Sequence, residues 1–189
     1  LAALFHDVGK PETKSVEADG RIRFLGHDKV GSQIAGRRLR RLSLSNQAIE
    51  QVKRIVAAHM RPLLLVQAGH IPPSRRAIFR FFRAAGAAGL DVCLLALADH
   101  LATYDGAGDE GEWDKLVRLT AVLLRHYFQK REETVSPPPL VDGRALIDEL
   151  QLTPGPEIGR LLRLIQEGQA AGEIATREQA IQFARQSRQ

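Results

Sequence analysis

Residues 3–11 read ALFHDVGKP, and this stretch decides how the chain is to be read. An imidazole and a carboxylate, His6 and Asp7, sit side by side in an apolar run, with Lys10 three residues past Asp7. A carboxylate in apolar surroundings is costly unless it is paired or bound to a metal. Leu1, Leu4, Phe5 and Val8 are spaced for the buried side of a helix, and Gly9 and Pro11 are expected to end it. On that helix Asp7 and Lys10 are i and i+3 while His6 and Lys10 are i and i+4, so an ammonium lies beside the pair on one face. A cation poised there can hold a phosphate that a metal also touches, which suits phosphoester chemistry.

Three further polar residues stand in or beside apolar stretches: His27 in FLGHDKVG (24–31), His59 in AAHMRP (57–62) and Asp99 in ALADHLAT (96–103). Each must find a partner inside or at the rim of the core. Three histidines with two aspartates form a mixed nitrogen and oxygen set, and those donor types leave nickel, manganese, magnesium, zinc and iron all open. His59 shares a helix face with Ile49, Val52, Ile55 and Val56, so it reads also as a hydrogen-bonded core histidine. His70, His100 and His126 read as structural or surface residues.

At 189 residues the chain can hold one compact domain with a real core, or a core domain with a small appendage. Aromatics are few while leucine and alanine abound, favouring an all-α fold. No run approaches the roughly 18 consecutive apolar residues of a membrane span, and no signal-peptide layout is present. The single cysteine, Cys93 in LDVCLLALA, reads as a buried hydrophobe. It excludes an internal disulfide framework and fits a reducing, cytoplasmic protein. The net charge of +5 favours polyanionic partners. RRLRR (37–41), with Arg37, Arg38, Arg40 and Arg41, is either a solvated face or a guide for RNA.

Along the chain, SVEADGRIRF suggests a short hairpin or ordered loop near 13–26, turning at Asp19-Gly20. Helices are expected over 28–42, over 46–60 with Ser45 as N-cap, and from Ser74 to near Gly86. LDVCLLALADHLATY and the amphipathic stretch from Gly111 to Glu133 supply two more. TVSPPPLVDG cannot continue a helix, and three short helices follow over 143–151, 156–171 and 177–187. Thr176 with Gln179 forms a capping-box signature for the last. Leu1 begins inside an apolar helical pattern with no cap before it, so we expect the chain to be a piece of something longer.

The ordered residues His6-Asp7, His27, His59 and Asp99 resemble the HD superfamily of metal-dependent phosphohydrolases. The wider contexts, ALFHDVGKP, FLGHDKVG, AAHMRP and ALADHLAT, with the tail motif PGPEIG (154–159), resemble the carboxy-terminal HD half of bacterial tRNA nucleotidyltransferases (CCA-adding) and poly(A) polymerase family proteins. The likeness spans nearly the whole chain. It implies an all-α HD-domain bundle over 1–133 lacking its first helix, which in the superfamily carries another histidine. A Pro-rich linker over 134–142 and a helical tail over 143–189 complete the expected division. It also implies a divalent-metal site of His6, Asp7, His27, His59 and Asp99. Asp7 would be the central, bridging ligand, with His6 and Asp99 on one ion and His27 and His59 on a second. Asp7 or Asp99 would serve as general base, and Lys10 would offset phosphoryl charge, unless it is only a helix-end lysine opposing the dipole.

The resemblance further implies an N-terminal nucleotidyltransferase domain as partner in the full-length protein. Partners would be RNA (tRNA or RNA 3′ ends) or nucleotides, with Lys10, Arg37, Arg38, Arg40, Arg41 and Arg61 as phosphate contacts and no membrane role. Two functions follow as expectations. One is a metal-dependent phosphohydrolase; the alternative is a non-catalytic tRNA-docking module with a degenerate HD site.

Overall fold

The computed structural model describes residues 1–104 and 109–188. Helices account for most of it, as the composition predicts: α1 (Ala2–Phe5), α2 (Lys10–Thr13), α3 (His27–Arg41), α4 (Asn46–Ala58), α5 (Arg61–Gln67), α6 (Arg75–Ala85), α7 (Gly89–Tyr104), α8 (Glu110–Gln129), α9 (Gly143–Leu150), α10 (Pro156–Ala171) and α11 (Arg177–Gln186). Among the described residues the extended structure is a two-stranded antiparallel hairpin, β1 (Ser15–Val16) and β2 (Ile22–Arg23), pairing Ser15 with Arg23 and Val16 with Ile22.

The chain divides into two compact units. The first comprises Leu1–Pro72 and Phe81–Ala121. At its centre α3 packs on α4, because each carries apolar residues at helical spacing on one side. Ala35 and Leu39 of α3 meet Ile49, Val52 and Val56 of α4, with Ala2, Phe5 and Leu44 packed around them. Ser45 caps α4 by accepting from the Ala48 amide at 3.2 Å, satisfying an amide that the first helical turn leaves unpaired. Ser32, buried mid-helix in α3, donates to the Lys53 carbonyl at 2.9 Å and ties the two helices together.

The second unit takes Pro73–Arg80 and the chain from Val122 onward. Its core gathers Leu146 and Leu150 of α9, Leu161 and Ile165 of α10, and Ala180 and Ile181 of α11. Asp142 caps α9, and Thr176 and Gln179 form the capping box that opens α11. Glu167 is 6% exposed and lies between the guanidinium groups of Arg76 and Arg80, which satisfy its charge within the unit.

One expectation needs correction. Gly9 and Pro11 do not end a helix: α1 stops at Phe5, residues 6–9 turn, and Gly9 is the N-cap of α2 with Pro11 in its first turn. Proline is tolerated there because its missing amide would be unpaired anyway. The RPLLLVQ stretch, for which the sequence reading gives no element, forms α5 by the same device, with Pro62 in its first turn. By length and composition alone, the run Arg75–Tyr104 is apolar enough to cross a membrane, although Phe81, Phe82, Val92 and Cys93 in it are buried in the fold.

Candidate metal centre

All five expected ligands belong to the first unit, and two glycines set their relation. Gly26 adopts a left-handed backbone, φ 79°, which glycine reaches without the cost a side chain would add. It is the N-cap of α3, so the helix begins at His27. Gly9 lies against that first turn: a Cβ there would collide with the His27 carbonyl and stand 2.7 Å from the Gly31 amide nitrogen. A bare backbone at Gly9 therefore seats the His6-Asp7 turn on the start of α3. His59 ends α4 at its C-cap, 5% exposed, and Asp99 lies on α7.

Asp7 stands at the middle of the arrangement. Its Oδ1 lies 3.5 Å from His27 Nε2 and 3.8 Å from His59 Nε2. Its Oδ2 accepts a hydrogen bond from Lys10 Nζ at 2.5 Å and lies 3.4 Å from His6 Nε2. His6 Nε2 in turn reaches Asp99 Oδ1 at 3.2 Å. Asp7, His27 and His59 place one ligand atom each within 4.8 Å of one another, a spacing that fits a single cation.

The three imidazoles are held alike. His6 Nδ1 donates to the Ala3 carbonyl at 2.8 Å, His27 Nδ1 to Phe24 at 2.7 Å and His59 Nδ1 to Val56 at 2.7 Å. A carbonyl can only accept, so each Nδ1 carries a proton, and in the neutral ring Nε2 then presents a lone pair to the centre. His27 Nε2 and His59 Nε2 then face each other at 3.2 Å. Two lone pairs that close repel unless a cation or a proton stands between them. Backbone donation from the far nitrogen is the support that metal-binding histidines receive in general.

Electrostatics agree with this. Burial raises the Asp7 carboxyl, but the hydrogen bond from Lys10 and the charges of His6, Lys10 and His59 outweigh it and hold Asp7 below the ordinary aspartate range. Burial lowers the His59 imidazole, which keeps it neutral and able to ligate at pH 7.

The expected arginines lie elsewhere. Arg37, Arg38, Arg40 and Arg41 are exposed at the far end of α3, about 15–20 Å along the helix from His27 at its rise of 1.5 Å per residue. Arg38 and Arg41 edge a separate hollow with Phe5, Val8 and Ile34. Arg61 is exposed at the first position of α5. Sequence reasoning missed the walls of the cleft that holds Asp7, His27, His59 and Asp99. Those walls come from Phe24, Leu25, Met60, Leu64, His100 and Tyr104, and the cleft encloses about 520 Å³. Apolar residues beside ligands at 24–25 and 60–64 were the available signal, but apolar neighbours in sequence say nothing of which side of a helix opens to solvent.

An all-α scaffold that converges an adjacent His-Asp pair with two later histidines and a later aspartate defines an HD domain. The family model for that domain matches residues 1–104, and the chain belongs to this family. Beyond the family, the chain is similar to the CC-adding tRNA nucleotidyltransferase of Thermus thermophilus, 38% identical over 97% of this chain, and to the A-adding tRNA nucleotidyltransferase of Deinococcus radiodurans, 34% identical over 96%. It spans 38% and 40% of the length of those two relatives. The CC-adding tRNA nucleotidyltransferase of a Synechocystis species is 36% identical over 34% of the chain. No solved structure gives a significant match.

Proposed function

We propose that this chain is a divalent-metal-dependent phosphohydrolase module, acting on nucleotides or RNA ends, within a cytosolic protein of the tRNA nucleotidyltransferase type. The observation that carries the reading is the pair of Nε2 atoms of His27 and His59, 3.2 Å apart beside the Asp7 carboxylate. His27, His59 and Asp7 would hold one ion, with Asp7 shared toward His6 and Asp99. A divalent ion there supplies Lewis acidity to a phosphoryl oxygen and makes water a stronger acid. The donor set, nitrogen with oxygen, fits several first-row ions as well as magnesium.

This chain's own residues supply the rest. Lys10, which donates to Asp7 and lines the cleft, would offset negative charge that builds on the phosphoryl oxygens. Asp99, its Oδ1 3.2 Å from His6 Nε2, stands at the cleft wall where it can take a proton from the attacking water. The experiment is metal analysis of the purified chain followed by hydrolysis of bis-p-nitrophenyl phosphate with each divalent ion. Hydrolysis undiminished in Asp7→Ala overturns the reading.

A second reading, docking of tRNA for a nucleotidyltransferase domain of the same protein, is favoured by the exposed arginines at the end of α3 and by the names of the relatives. It calls for RNA affinity that falls steeply with salt. Charge reversal at Arg37, Arg38, Arg40 and Arg41 that leaves RNA binding intact removes that patch from consideration.

A further inference from the structure

The hairpin of β1 and β2 stands at the mouth of the cleft and is tied chiefly to itself. Its strands pair at Ser15 with Arg23 and Val16 with Ile22, and a hairpin so short is marginal in water unless something packs on it. The turn is nonetheless well bonded. The Glu17 amide donates to the Arg21 carbonyl at 2.9 Å, the Gly20 amide to the Glu17 carbonyl at 2.9 Å and the Arg21 amide to Asp19 Oδ1 at 3.0 Å. Arg23 Nε lies 2.6 Å from Glu17 Oε1. With such bonds the hairpin holds its shape as one body.

Its two faces differ. Val16 and Ile22 are opposite one another, so their side chains share a face, and the alternation puts Ser15, Glu17, Arg21 and Arg23 on the other. Ile22 of one face and Arg23 of the other both line the cleft, so the hairpin meets it edge-on. Its apolar face is left to water: Val16 is 64% exposed and Ile22 50%. The cleft also holds an apolar slot, between Leu63 and Leu64 of α5 and Thr103 and Tyr104 of α7. That surface is open too, with Leu64 55% and Tyr104 51% exposed. Removing two such surfaces from water against each other is favourable.

Both ends of the hairpin are anchored. The Phe24 carbonyl accepts from His27 Nδ1, and the Lys10 ammonium stands 5.7 Å over the Phe24 ring. At the other end Thr13 Oγ1 donates to the Gly9 carbonyl at 3.0 Å and closes α2 before Lys14 turns extended. Rotation is thus left to Lys14 and to the joint between Arg23 and Phe24.

We infer that residues 15–23 form a lid, which turns its Val16 and Ile22 face onto Leu64 and Tyr104 and closes the cleft over the histidine–aspartate centre. An occupant of the cleft, about 520 Å³, gives that face a floor to rest on, so closure accompanies binding. Closing expels water and strengthens the charge interactions inside. The movement stands on the two apolar surfaces alone; its effect on rate rests on the phosphohydrolase reading.

The test uses the whole chain, with Mn²⁺ and AMP as the probe. Ile22→Cys is combined with Leu64→Cys, and separately with Tyr104→Cys, and each chain is oxidised with diamide. A disulfide needs Cα atoms about 4.4–6.8 Å apart. Cys93, the native thiol, is buried. One of the two pairs is expected to cross-link, about tenfold faster with the probe than without it, the worth of two half-buried apolar side chains. Trypsin cleavage after Arg21, exposed in the turn, is expected to slow in parallel. Val16→Asp with Ile22→Asp is expected to keep the metal and lower kcat/KM for AMP about tenfold on the same scale. Both positions are exposed, and circular dichroism checks the fold.

No disulfide in either pair, or one formed no faster with the probe, overturns the lid and leaves the hydrolase reading standing. Faster cross-linking and protection of Arg21, without hydrolysis of AMP under any ion, overturns the hydrolase reading and supports the lid. A Val16→Asp, Ile22→Asp chain as active as the parent overturns closure as a step of the reaction.

Discussion

His27 and His59 hold their Nε2 atoms 3.2 Å apart, and each has already given its Nδ1 proton to a main-chain carbonyl three residues back. Neither neutral ring can donate to the other without losing its carbonyl partner, so an ion between them is stabilising. Thermal unfolding with Mn²⁺, Ni²⁺ or Zn²⁺ at one hundred times the dissociation constant is expected to show about 2.7 kcal/mol of added stability. His27→Ala should abolish the rise, and EDTA should reverse it in the parent chain.

Asp7 and Lys10 are hydrogen-bonded to each other yet are expected to fail differently. Asp7→Ala should lose bound metal and hydrolysis together. Lys10→Ala should keep the metal and lower kcat by about a hundredfold, since only charge developing on the phosphoryl group is left uncompensated. Metal content measured beside kcat separates the two; metal lost from Lys10→Ala contradicts the role given to it.

Gly9→Ala places a methyl group against the backbone of α3. Because main chain cannot step aside as a side chain can, the expected loss is about 3 kcal/mol by urea denaturation. Metal affinity should fall with it, since the same contact seats Asp7 beside His27.

In the second unit, Glu167 and its arginines should be unequal under mutation. Removing Arg76 and Arg80 together strands a carboxylate that is 6% exposed and is expected to cost about 3–5 kcal/mol. Glu167→Ala leaves two guanidinium groups whose side chains are 40% and 59% exposed and can turn to water. It should cost less, about 1–3 kcal/mol. Equal losses in chemical denaturation contradict this asymmetry.

Cys93 gives a pH signature outside the metal centre. Burial pushes its thiol up to about 12 from an ordinary value of 9.0. Between those values the unfolded chain releases a proton that the folded chain keeps, so the folded state binds more protons and stability falls as pH rises from about 9 toward about 12. Cys93→Ala should flatten that slope, and the native thiol should resist Ellman's reagent at pH 8.

How much of this was legible in the sequence follows from what each residue depends on. Helical spacing around Leu39, Ile49 and Val56, the Ser45 cap and the Thr176–Gln179 box are local signals, and the all-α fold follows from them. His6, Asp7, His27, His59 and Asp99 were legible as polar residues out of place in apolar company, and the structure gathers them. Gly9 was misread as a stop because its smallness serves a contact with α3, which no neighbour in sequence reveals. The slot between α5 and α7 was not legible for the same reason: Leu64 and Tyr104 are ordinary apolar residues until the fold leaves them facing a common space.

The carbonyls of Ala3, Phe24 and Val56 have a consequence for ion exchange. Rings moored to main chain, rather than to mobile side chains, keep their aim when the cation departs. Loss and recapture of metal would then require no rebuilding of the cradle, and occupancy would track the supply of free ion instead of the history of the fold.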